Sequence, residues 1–166
     1  MHVLTYVLQM PGVSGEAVEE VAILNELRLA DYVNELPVQD ISFANLTDVL
    51  ENHFGKENLA ADQDDRTITI TKSGVVRYFA WLRARIKCAI DSAMDKPIED
   101  FIHLRGESDW YAIKTIVDDP FATQFYMDGY GCGPVTVFAH HLYVQMGYEQ
   151  ADSITLKLTQ VFDVHY

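Results

Sequence analysis

With 166 residues, 49% of them hydrophobic, the chain can bury a core without disulfides or a structural metal. Its net charge of −13, from 25 acidic and 12 basic side chains, opposes direct binding of nucleic acid or anionic lipid and favours basic partners. Cys88 and Cys132 have neither disulfide-framework nor zinc-ligand spacing, which is the pattern of two reduced thiols in a cytoplasmic protein.

Residues 2–9 alternate well enough for a strand that Pro11-Gly12 ends, and apolar residues on both its faces make it an interior one. This start lacks the positive flank and long apolar core of a secretory signal, so no export is expected. Other apolar stretches stop well short of the roughly 20 residues that cross a bilayer, so a soluble protein is expected. Ser14 is positioned to cap a long helix through Val18, Val21, Leu29, Tyr32 and Leu36, which Pro37 terminates. A second helix is expected from Ser42 to Gly55, its buried stripe made by Leu46, Val49, Leu50, His53 and Phe54.

The polar run 56–65 reads as a surface loop. Residues 66–71 then alternate isoleucine with threonine as a half-buried strand does, and Lys72-Ser73-Gly74 turns it. From Val75 to Met94 the apolar positions step by three and four, the signature of a helix. A short helix over 97–104 follows, with Ser108 placed to cap another element. Residues 110–117 suit a helix or a strand equally, and 120–127 suggest a short helix. In the last segment Ile154, Leu156, Leu158, Phe162 and Val164 are expected on one face of an antiparallel strand, with Thr155, Lys157, Thr159, Asp163 and His165 on the other.

Charge is unevenly spread. Residues 1–65 carry −11, residues 66–105 carry +4 and residues 106–166 carry −6. Arg77, Arg83, Arg85 and Lys87 cluster on one helix, where salt bridging to the acidic stretch 16–35 is the expectation.

One local motif stands out: Gly129, Gly131 and Gly133 surround Cys132 immediately before Pro134 and an apolar helical stretch. Glycines serve tight, backbone-exposing turns, and a thiol just ahead of a helix is the arrangement in which amides and dipole favour the thiolate. Cys132-Gly133-Pro134 opening an apolar helix that ends at Gly147 resembles the nucleophile segment of a family of papain-like cysteine peptidases, over about one-tenth of the chain. The resemblance implies a glutamine upstream that helps bind the oxyanion, and a histidine and an acid downstream. Gln124 lies eight positions upstream, farther than that pattern, and only 34 residues follow Cys132. His140 and His141 stand a rise of roughly 12–14 Å along the helix from Cys132, beyond hydrogen-bond reach, which leaves His165 as the candidate base. The helix is apolar nearly all round, so it is expected either at the centre of the fold or against another subunit, with His140 and His141 in a core or interface.

These observations predict one globular domain over residues 1–166. Its class is α+β: a small, mainly antiparallel sheet (strands near 2–9, 66–71 and 153–165) with a majority of helices packed on it. No cofactor and no metal are called for. The expected function is that of a non-enzymatic acidic protein that self-associates and binds a protein partner, including as an inhibitor or accessory factor acting on a basic or nucleic-acid-binding protein. The alternative is a cysteine-dependent hydrolase or transferase in which Cys132 is the nucleophile, His165 the base and Gln124 an oxyanion donor.

Overall fold

A computed structural model describes residues 2–11, 17–27, 30–99, 109–117, 119, 122–127 and 130–166. In chain order these form β1 (His2–Gln9), α1 (Glu20–Glu26), β2 (Tyr32–Leu36), α2 (Asp40–Phe54), a 3-10 turn (Lys56–Asn58), β3 (Leu59–Asp62) and β4 (Thr67–Thr71). Then come α3 (Lys72–Met94), α4 (Asp109–Val117), β5 (Gln124–Met127), β6 (Gly131–Pro134), α5 (Val135–Glu149) and β7 (Ser153–His165).

β7, the longest strand, organises the sheet. One of its edges takes β4 along residues 153–157 and β2 along residues 161–165, while the other takes β1. The order is β3-β4-β7-β1-β5-β6, with β2 also beside β7. The α+β class stands, but the sheet has seven strands and is mixed rather than small and mainly antiparallel, because β5 runs parallel to β1. The expected strands at 2–9, 66–71 and 153–165 are present. The additional ones are four or five residues long, too short for periodicity to separate from helix or loop.

Other expectations change accordingly. The helix expected up to Leu36 ends at Glu26, and Tyr32–Leu36 pairs with β7 instead. Leu59–Asp62, expected within a loop, pairs with β4, and Gln124–Met127, expected as helix, lies beside β1. Residues 110–117 are helical. α3 starts at Lys72, three residues early, because the Thr71 hydroxyl caps it by accepting from the Gly74 amide at 3.3 Å. The Ser14 cap, most of the 97–104 helix, the Ser108 cap and Gly129 lie outside the described residues.

Two apolar layers sandwich the sheet. On one face Phe43, Leu46, Leu50 and Phe54 of α2, Val75, Tyr78 and Leu82 of α3, and Phe138, Leu142 and Met146 of α5 bury Tyr6, Leu8, Ile68, Ile70, Phe125, Ile154, Leu156 and Leu158. On the other, Ile23 of α1 covers Val7, Val33, Phe162 and Val164. Phe162 and Val164 thus face away from Ile154, Leu156 and Leu158, contrary to the single stripe expected. The cause is a bulge. Val7 pairs with Gln160 but Leu8 pairs with Leu158, so Thr159 is an extra residue that inverts the alternation after it.

Gln160, placed by that bulge on the α1 face, accepts from the Val18 amide at 2.7 Å through Oε1. Its Nε2 donates to Val18 O and to Glu35 Oε1, both at 3.1 Å, tying the segment before α1 and strand β2 to the sheet. Among the described residues no helix is long and apolar enough to cross a membrane.

α5 continues past Gly147 to Glu149 and closes on Gln150 in the left-handed conformation. Gly147 is exposed with open space where a Cβ would stand. Gly147→Ala should therefore stabilise the protein by ~1 kcal/mol and raise Tm by about 2–4 °C, readable by calorimetry.

Candidate functional site

Cys132 lies in β6 rather than in a loop, opposite Tyr126 of β5. Tyr126 packs in the α1-side layer, and directly paired strand residues share a face, so Cys132 points toward α1. α5 packs on the other face, so the start of that helix does not act on the thiol. Burial and, secondarily, the Glu26 carboxylate push the Cys132 thiol up to about 12, against a weaker opposing effect of a backbone hydrogen bond involving Gly133. The expected helix-assisted thiolate is replaced by a protonated thiol facing an acid.

The flanking glycines have packing reasons. Gly131 adopts φ +79°, and a Cβ there would stand 3.2 Å from Glu26 Oε2. A Cβ on Gly133 would fall 2.8 Å from Val137 Cβ, because β6 runs directly into α5 and the first turn folds back over it. Glycine is used here for close approach to a helix, not to expose amides to a ligand.

Gln124 lies on the same sheet face as Cys132, paired with Pro134 and Thr5. It is buried, and its Nε2 donates to Ala122 O at 2.9 Å, so its donor is engaged in holding the preceding loop. His165 lies elsewhere. It pairs with His2 and Tyr32, stacks on the Tyr32 ring at 4.7 Å and 7°, and has Asp31 Oδ2 3.5 Å from Nδ1. Its neighbour Val164 faces α1, so His165 faces the opposite side, and β1 and β5 intervene between β7 and β6. Three strand spacings make about 14 Å across the sheet. The structure therefore brings Gln124 and Cys132 onto one face and leaves His165 on the other. Among the described residues no group of three His, Cys, Asp or Glu side chains is placed to hold a metal ion.

An open, partly apolar surface lies on the outer side of α3 and α5. Val76, Phe79, Ala80, Arg83 and Tyr143 line a groove of about 400 Å³, with Val76 50% and Tyr143 45% exposed. Both helices bury one stripe against the sheet, and α5, apolar nearly all round, leaves Val137, Tyr143 and Tyr148 to solvent. Lys72 Nζ sits 5.6 Å from the Tyr143 ring centroid. Arg83 and Arg85 have no acidic partner among the described residues. Among the described residues the expected salt bridges to the acidic stretch 16–35 do not occur, because α1 lies across the sheet from α3. His140 is exposed; His141 stacks on Tyr130 at 4.6 Å, and burial followed by the neighbouring His140 lowers its pKa. Sequence periodicity already contained this surface: Val76, Ala80 and Arg83 form a second stripe on α3, beside the one that faces the sheet.

Comparison of the chain with protein-family models, with curated proteins and with solved structures finds no match.

Proposed function

We propose that this chain is a non-enzymatic interaction protein that self-associates through the α3–α5 face and engages a basic protein partner with its acidic remainder. The observation that carries this reading is the groove itself: exposed Val76 and Tyr143 beside Arg83, an arginine with no acidic partner among the described residues. A second copy suits that surface in both respects. Its own exposed apolar residues cover the groove, and outside residues 66–105 it carries −11 and −6, together −17, which attracts Arg83. Exposed Cys88 and unpaired Cys132 favour a reducing, cytoplasmic setting. The acidic remainder suits an inhibitor or accessory factor of a basic or nucleic-acid-binding protein.

Sedimentation equilibrium across a salt series tests the self-association. Dimers or larger species are expected at low ionic strength, dissociating as salt screens the charge component. Tyr143→Glu, which puts a charge in the groove without touching the core, should weaken association by ~2 kcal/mol or more, roughly 30-fold, with an unchanged circular dichroism spectrum. A wild-type chain that stays monomeric at low salt and high concentration would remove the proposal.

A further inference from the structure

On the opposite side of α3 from the groove, a cavity of about 200 Å³ opens between α2, α3, α4 and the start of α5. Its described lining includes His53, Tyr78, Trp81, Arg85, Asp119 and Thr136. Tyr78 is 1% exposed and its hydroxyl lies 2.7 Å from Thr136 Oγ1. Two hydroxyls carry two hydrogens, and the bond between them uses one; the second has no acceptor among the described residues. The Arg85 guanidinium, which has no acidic partner among those residues either, lies 5.3 Å from the Trp81 ring centroid, and its field reaches the Tyr78 hydroxyl. An unspent O–H and an unspent guanidinium thus converge on one cavity whose remaining walls include Ile116 and Val135. Burial holds His53 below its usual pKa, so it adds no positive charge at neutral pH.

We propose that this cavity binds a small organic monoanion, its carboxylate taken by Arg85 and the free hydrogen of the Tyr78–Thr136 pair, and its apolar body resting on Trp81 and Ile116. The cavity volume limits the guest to a single small molecule, and the guanidinium fork matches a carboxylate. The single Arg85 guanidinium, with His53 uncharged, matches one negative charge rather than the two that phosphate carries at pH 8.5.

Calorimetric titration of the full chain with sodium benzoate, at pH 8.5 and fixed ionic strength, tests this, with inorganic phosphate, a dianion at that pH, as the second probe. Benzoate should bind saturably. Arg85→Gln should weaken it by about tenfold or more and Thr136→Val by about threefold or more, while Lys87→Gln, which removes an exposed cation of α3 outside the cavity lining, should leave it unchanged. Arg85 is exposed, so its replacement tests binding without testing folding. Absence of saturable benzoate binding, or equal binding by the Arg85→Gln protein, overturns the proposal. Phosphate binding as tight as benzoate overturns the assignment to a monoanion.

Discussion

Iodoacetamide at neutral pH should modify Cys88 and leave Cys132 essentially untouched over the same interval. Only the thiolate attacks, and a thiol held at about 12 instead of its ordinary 9.0 has about 1000-fold less thiolate at any pH below both values. Cys88 is exposed on α3, so access does not limit it. Peptide mass spectrometry over a time course from pH 6 to pH 9 reads both sites in one sample. A Cys132 that labels as quickly as a free thiol would contradict the burial and the Glu26 contact that set its state. The same shift has a consequence for stability. Below pH 9 the thiol is protonated folded or unfolded and contributes no pH dependence. Between 9 and about 12 the unfolded chain releases that proton while the folded chain keeps it, so stability falls as pH rises. Cys132→Ala should remove that part of the alkaline slope.

This behaviour bears on the choice between an interaction protein and a thiol enzyme. A nucleophilic cysteine needs a base within hydrogen-bond reach and an environment that favours charge. Here the histidine of the expected pair faces the far side of the sheet, and the nearest charge identified beside Cys132 is a carboxylate. Arg83, without an acidic partner among the described residues, and the exposed apolar side chains of α3 and α5 are instead the surface on which the proposed self-association rests.

The parts of the fold legible in the sequence are those whose periodicity is long. β1, α2, α3 and α5 each repeat their pattern over at least eight residues, and the shorter β4 alternates threonine with isoleucine without a break; all occur close to where the pattern places them. Tyr32-Val33-Asn34-Glu35-Leu36 fits helical spacing as well as strand spacing; only pairing with β7, more than a hundred residues away, makes it a strand. The hairpin β5–β6 is hidden for a related reason, since Gly131-Cys132-Gly133-Pro134 has turn composition but obtains its ladder from Gln124–Met127. At the candidate sites, Cys132 is conspicuous in sequence, yet what determines its chemistry is Glu26, on a helix over a hundred positions earlier. The cavity residues His53, Tyr78, Arg85 and Thr136 come from three helices and form no motif at all.

The least legible feature, the bulge at Thr159, also sets the register whose shift should cost most. Inserting one alanine between Thr159 and Gln160 should abolish cooperative thermal unfolding, because the alternation of β7 would then be inverted a second time beyond the bulge. Ile154, Leu156 and Leu158 could keep their layer only by turning Phe162 and Val164 onto it, away from Ile23 and Val33. Phe162 is fully buried, and losing its site alone is worth ~3–5 kcal/mol. Val164 loses its place too, and Gln160 with its three hydrogen bonds turns away from Val18 and Glu35. Against a total stability of about 5–15 kcal/mol for a domain, these losses leave little or no folded population. Thr159→Ala is the control. It keeps the extra residue and forgoes only the 3.3 Å hydrogen bond from Oγ1 to Val7 O, which should cost about 1 kcal/mol or less. Calorimetry of the two variants separates the register set at the bulge from the side chain that occupies it, and an insertion protein with a wild-type transition would mean that β7 tolerates either register.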